Sequence, residues 1–189
     1  MGKILCFNYN QMADFEMTLP CDMLANLEEF EFITIGYETT PILATSRIQY
    51  LPQMTVKDAL KLEDIEVLFI PGGFDRECKQ EFIDLIKKVD KSGKLICAIC
   101  AAPEFLAKSG ILENHLYTTT LGTDYFEKNN IEDCFPRQNY VEEKVVRDKN
   151  LITAKGSSFI DFGVEILNYF DIFEDEDDKL ECAKYYKGF

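Results

Sequence analysis

"KLICAICAAP" (residues 94–103) is an apolar run that stops at a cysteine and is followed by two alanines and a proline. Residues 94–99 read as a buried strand. "AAPEFLAKSG" (101–110) reads as a short helix closed by Gly110, with Pro103 in its first turn, where a missing N–H costs nothing. Cys100 therefore falls on a sharp strand-to-helix join, and the flanking chain repeats the theme. "EVLFIPGG" (66–73) is an apolar strand ended by Pro-Gly-Gly. "KQEFIDLIKKVDKSG" (79–93) is an amphipathic helix with Phe82, Ile83, Leu85, Ile86 and Val89 inward. "KILCFN" (3–8) and "EFEFITIG" (29–36) are strands around a helical stretch carrying Met17, Leu19, Met23, Leu24 and Leu27. Residues 42–51 form a small β excursion, and Thr55 with Asp58 starts a capped helix. A hairpin over 142–154, a long helix over 156–170 and an acidic connection, "DIFEDEDDK" (171–179), before a tail helix complete the chain. Buried strands alternating with amphipathic helices predict an α/β fold with a mostly parallel sheet covered on both faces. The expected architecture is a flavodoxin-like three-layer sandwich with a nucleophile elbow, in one domain over residues 1–189.

Composition narrows the function. At 47% hydrophobic and 29% charged, with a net charge of −14, the chain is globular and repelled by polyanions. Nucleic acid and anionic membranes are excluded as partners on that ground. No stretch approaches the roughly 18 apolar residues of a membrane span, and "MGKILCFNYN" lacks the apolar core of a signal peptide. Residue 6 is Cys where a myristoylation signal carries Ser or Thr. A cytoplasmic protein is expected. Its cysteines, at 6, 21, 78, 97, 100, 134 and 182, are odd in number and irregular in spacing, which predicts free thiols. The acidic run lacks the glycine and ligand alternation of a calcium loop. No G-x-G-x-x-G or P-loop is present, so no nucleotide cofactor is expected.

Cys97 and Cys100 carry three readings. A redox Cys-x-x-Cys pair is disfavoured because residues three apart in a strand point to opposite faces. A metal half-site lacks a second pair at zinc spacing, and His115 is the sole histidine. The third reading puts Cys100 on an elbow above the sheet, at the start of a helix whose N–H groups favour thiolate. Spacing alone does not separate that elbow from a buried small residue.

Four stretches then act together: "FEMTLPCDML" after the first strand, "LFIPGG", "AICAAP" and "ITAKGSSFIDFGVEIL". In this order they resemble the ThiJ/PfpI superfamily (class I glutamine amidotransferase-like), most closely its parkinsonism-associated deglycase branch. The resemblance spans nearly the whole chain. It implies that Cys100 is the reactive cysteine and that Glu16, four residues before Pro20, places its carboxyl on the sulfur. Gly72, Gly73 and Ala101 would supply backbone N–H groups of an oxyanion-type pocket. Arg47 would approach the cysteine near a dimer interface, and Thr120 would line the site. A homodimer without cofactor or metal is implied. Without the resemblance, Glu16 reads as an exposed acid at a helix start. With it, a carboxylate and a thiolate in one dry pocket would share a proton and titrate as a unit.

The sequence departs from the superfamily pattern at its histidines. Ala101 stands where proteolytic members carry His after the nucleophile, and "YTTTLG" offers Thr119, Thr120 and Leu121 where the deglycase branch has one. His115 is expected at the surface. Without a histidine base, amide hydrolysis is disfavoured. Two functions remain. One is a cofactor-independent enzyme acting on reactive 2-oxoaldehydes or glycated protein side chains, glyoxalase- or deglycase-like. The other is a non-enzymatic redox sensor of oxidative stress whose Cys100 oxidises to sulfinate. The other six cysteines are assigned as structural or surface thiols, with Cys21 the one placed to approach Cys100.

Overall fold

A computed structural model describes residues 1–25, 27 and 29–188. Chain order is β1 (Gly2–Phe7), α1 (Phe15–Leu24), β2 (Phe30–Gly36), β3 (Ile42–Leu43), β4 (Gln49–Tyr50), β5 (Met54–Thr55), α2 (Val56–Ala59), β6 (Ile65–Ile70), α3 (Gln80–Lys91) and β7 (Leu95–Ile99). There follow α4 (Pro103–Ser109), α5 (Thr123–Asn129), β8 (Val145–Asp148), β9 (Leu151–Ala154), α6 (Phe159–Tyr169) and α7 (Glu176–Lys187). Seven strands form one sheet in the order β5-β2-β1-β6-β7-β9-β8, parallel throughout except for β8, which runs antiparallel to β9. β3 and β4 make a separate antiparallel pair. This is the flavodoxin-like α/β sandwich the sequence predicts, with the order turning around β1, which pairs with β2 on one side and β6 on the other.

Alternation along the strands sorts the core into two layers. Phe7 points toward α3 and α4, where its ring lies 3.8 Å from Phe82 and meets Phe105 edge-on. Cys6, one residue earlier, faces α1. On that side α1 packs on α6. Gly163 lies at this contact, where a Cβ would sit 2.4 Å from the Met23 sulfur and would make that side chain shift. The capped start of α2 is as the sequence predicts: the Thr55 hydroxyl accepts from the Asp58 N–H at 3.1 Å and donates to its carboxylate at 2.8 Å. Thr55→Ala is expected to cost about 1 kcal/mol, read as a fall of roughly 3 °C in Tm; an unchanged Tm would mean that the cap contributes nothing.

Several local expectations are corrected. α1 ends at Leu24, so Leu27 lies outside it. The acidic run is only half connection: Asp175 accepts from the Asp178 N–H at 2.9 Å, and residues 176–179 are the first turn of α7, where acids suit the helix dipole. α5 has no counterpart in the sequence reading. His115 is buried rather than exposed, with Nε2 3.1 Å from Asp90 Oδ1 and Nδ1 3.3 Å from the Asp148 carbonyl. Those partners place it at the amino ends of β7 and β9, the opposite edge of the sheet from Cys100. None of the described helices is long and apolar enough to cross a membrane.

Candidate active site at the elbow

Four neighbouring strands, β1, β6, β7 and β9, each deliver a residue at or beyond their carboxyl ends to one point. β7 ends in Cys100, whose φ of 63° is left-handed and unusual for a residue with a Cβ. Such strain costs on the order of 1–3 kcal/mol and must be held from outside. Here the Cys100 N–H donates to the Ala154 carbonyl at 2.8 Å. Its carbonyl accepts from the Thr120 N–H at 2.9 Å and the Thr119 hydroxyl at 2.8 Å. Buried Ala101 and Ala102 let the chain turn before Pro103 opens α4.

β1 delivers Glu16 through the first turn of α1. Glu16 is 2% exposed, so its reading as a surface acid fails. Oε2 accepts from the Gly72 N–H at 2.8 Å, and the carboxyl hydrogen-bonds the Cys100 thiol. β6 delivers Gly72 and β9 delivers Gly156, and both must lack a side chain. A Cβ on Gly72 would lie 2.6 Å from Cys100 Cβ and 2.7 Å from Glu16 Oε2; one on Gly156 would lie 2.8 Å from Cys100 Sγ and 3.0 Å from Glu16 Oε1. The two backbones thus press the carboxyl and thiol together from opposite sides.

Thr120 is in direct contact with the sulfur. Its hydroxyl hydrogen-bonds the Cys100 thiol and accepts from the Gly156 N–H at 3.0 Å. The third threonine of "YTTTLG" therefore occupies the place at the sulfur for which no histidine is available. Gly72 is not free to be an oxyanion donor, because its N–H is committed to Glu16. The Ala101 N–H points at the sulfur. Gly73 adopts φ of 152° against Gln11 and Met12, and its carbonyl is held by Arg76, which is itself paired with Glu104 at 2.6 Å. Arg76, buried in this role, carries no sequence signal beyond being a lone basic residue after Pro-Gly-Gly. Arg47 sits in the turn between β3 and β4 at φ of 68°, bonded through its N–H to Ala44, and no hydrogen bond or ion pair joins it to Cys100 or Glu16. Cys21 does not turn toward Cys100: it lies five residues after Glu16, about 140° around the helix, and its sulfur meets that of Cys6.

Electrostatics overturn one expectation. Burial and the adjacent Glu16 charge push the Cys100 thiol up to about 11, although the Thr120 hydroxyl and the Ala101 N–H favour its thiolate. Burial also lifts Glu16 to about 7 against the Gly72 N–H and the thiol hydrogen bond. A helix start alone would lower the thiol; here loss of water and a neighbouring carboxylate outweigh it. Between about pH 7 and about pH 11 the pair holds one proton, shared between oxygen and sulfur.

The raised carboxyl is also a stability statement. Its folded value lies above the ordinary 4.5, so the folded state binds the extra proton, and stability falls as pH rises from about 4.5 through about 7. Glu16→Gln removes that penalty. The variant is expected to exceed wild type by about 3 kcal/mol at pH 8, roughly 10 °C in Tm, with the gap closing toward pH 4.5. A gap independent of pH would assign the difference to packing instead.

A flavodoxin-like sandwich with a strained cysteine at the elbow and a buried carboxyl on its sulfur defines a class of α/β proteins. Within that class the chain belongs to the DJ-1/PfpI family, whose sequence pattern matches residues 2–169. It is 28% identical over 191 residues to "Uncharacterized protease YdeA" of Bacillus subtilis (strain 168), covering 98% of this chain and 90% of the relative. It is also 28% identical over 137 residues to "Glutathione-independent glyoxalase DJR-1.2" of Caenorhabditis elegans, covering 70% of this chain and 69% of that one. Among solved structures, DJ-1 superfamily protein Atu0886 from Agrobacterium tumefaciens superposes with a TM-score of 0.81 at 23% identity, covering 100% of this chain and 99% of the other.

Proposed function

We propose that the protein converts 2-oxoaldehydes, free or as early adducts on protein side chains, to 2-hydroxy acids without a cofactor. The observation that carries this reading is the buried Glu16 carboxyl held against the Cys100 thiol between Gly72 and Gly156. With methylglyoxal, Cys100 sulfur bonds to the aldehyde carbon, and the oxygen takes up the shared proton to give a hemithioacetal. In this reading the backbone N–H groups of Ala101 and Gly73 stabilise the oxygen as charge develops, the Ala101 N–H turning to it once the sulfur is bonded to carbon. The Glu16 carboxylate then removes the hydrogen from the former aldehyde carbon and returns it to the neighbouring carbon, leaving a thioester of lactate. Water cleaves the carbon–sulfur bond, releasing lactate and the thiol. The sum is methylglyoxal plus water to lactate, with no net oxidation.

One group moving a proton between adjacent carbons needs a value near the working pH, and Glu16 at about 7 meets that requirement. Amide hydrolysis is not favoured: a leaving amine needs a proton donor beside the nucleophile, and the sole imidazole, His115, lies at the other edge of the sheet. The test is methylglyoxal loss with lactate detection, in buffer free of thiols, Tris and glutathione. Lactate is expected, with a rate that rises through about pH 7 as the pair goes from two protons to one. No lactate, with Cys100 still selectively oxidised by dilute peroxide, would overturn the enzyme and favour the redox sensor.

The same reading takes the protein to be cytoplasmic and homodimeric. Exposed Leu43, Ile48 and Leu51 on the β3–β4 hairpin, with Phe74 beside Leu43 and Arg47, form an apolar surface suited to a second copy. Sedimentation at micromolar concentration should give twice the chain mass of 21.8 kDa.

A further inference from the structure

We infer that Cys6 and Cys21 form a second thiol site, independent of Cys100, which hydroperoxides convert to an intramolecular disulfide. The two sulfurs lie 3.6 Å apart. Cys6 is held in β1, facing α1 because Phe7 faces the other layer. Cys21 projects from α1 onto it. The pair borders an open groove of about 400 Å³ whose walls include Met17, Phe32, Thr34 and Tyr50. Cys6 is buried and Cys21 half-buried, so an oxidant reaches the Cys21 sulfur first.

The geometry needs little change. A disulfide bond is about 2.05 Å long, so the sulfurs must close by roughly 1.5 Å. The helix turn before Cys21 contains Pro20, which has no N–H to donate back to the carbonyl of Glu16, so this turn lacks a bond that would resist adjustment. A sulfenic acid formed on Cys21 has the Cys6 sulfur as its neighbouring nucleophile.

The steps balance. Hydrogen peroxide transfers one oxygen to Cys21, giving sulfenic acid and water. Cys6 sulfur then attacks Cys21 Sγ; the sulfur–sulfur bond forms, the sulfur–oxygen bond breaks, and the hydroxide leaves with the Cys6 proton as a second water. Two thiols lose two hydrogens and one peroxide becomes two waters. None of this draws on the aldehyde reading of Cys100.

The chain itself supplies the assay. Trypsin releases residues 4–47 as one peptide holding Cys6 and Cys21 and no other cysteine. Untreated protein, denatured and alkylated, should show two alkyl groups on this peptide. After dilute hydrogen peroxide it should show none, with a mass lower by two hydrogens than the free dithiol, and both alkylation sites should return on reduction with dithiothreitol. The result should be the same in Cys100→Ser, and Cys21→Ser should leave Cys6 open to alkylation. Four outcomes would overturn the site: two alkyl groups after peroxide, oxygen gained at Cys21 that dithiothreitol does not remove, a disulfide linking two chains, or dependence on Cys100. The wild-type measurement decides even if a variant fails to fold.

Discussion

Cys100→Ser is expected to lower methylglyoxal turnover by about 10³-fold or more, with lactate no longer detectable above the uncatalysed rate. The reason lies in the proton shared with Glu16. A thiol pushed up to about 11 still exchanges its proton with a carboxyl at about 7, because sulfur holds negative charge well and both Thr120 and Ala101 donate to it. A serine hydroxyl ionises several pH units higher, and no imidazole stands nearby to remove its proton. Glu16→Gln should cost about 10³-fold by a different route. Its amide can still donate toward the sulfur and accept from the Gly72 N–H, but it cannot take a hydrogen from carbon. The Gln variant should therefore still consume aldehyde stoichiometrically, as a hemithioacetal, without releasing lactate. The double variant should be no worse than the worse single one, since the two groups act as a unit. Undiminished lactate formation from Cys100→Ser would place the chemistry elsewhere.

Gly73→Ala is expected to destabilise the fold by about 3 kcal/mol, lowering Tm by roughly 10 °C. Two effects add. The φ of 152° is one that side chains rarely adopt, and a Cβ there would lie 2.4 Å from the Gln11 carbonyl oxygen and 2.7 Å from Met12 Cα. Both obstacles are backbone, tied by the bonds from Ala13 N–H to the Gly72 carbonyl and from Phe74 N–H to the Gln11 carbonyl, so neither can swing aside. Gly93→Ala is the matched control. It also has positive φ, 66°, but nothing lies within 4 Å of where its methyl would sit, so about 1 kcal/mol is expected. Thermal melts of the two variants separate conformation from collision: equal losses would refute the collision.

The strands and helices that matter for the site were legible because their causes are local. An apolar run with a sharp stop makes β7, and Pro103 with Gly110 bounds α4. The period of Phe82, Leu85, Ile86 and Val89 makes α3, and all four are buried. α5 escaped because "TDYFEKN" has a weak apolar face; its one buried side chain, Phe126, packs against Phe135 in the loop that follows. His115 escaped for a similar reason: its partners Asp90 and Asp148 are 25 and 33 residues away in sequence. Glu16 read as exposed because nothing adjacent in sequence covers it; its covers are Gly72 and Gly156.

By itself, then, the sequence determined the alternation of strand and helix, the mostly parallel sheet and the elbow that carries Cys100. Those follow from side-chain period, strand ends and turn residues, which act over a few positions of chain. Only the tertiary structure decided that Thr120 touches the sulfur, that Gly156 presses on it, that Cys21 turns to Cys6, and that the thiol is pushed up instead of down. Each of these depends on which residues follow neighbouring strands in the sheet and on how much water they exclude, and strand neighbours here are far apart in the chain.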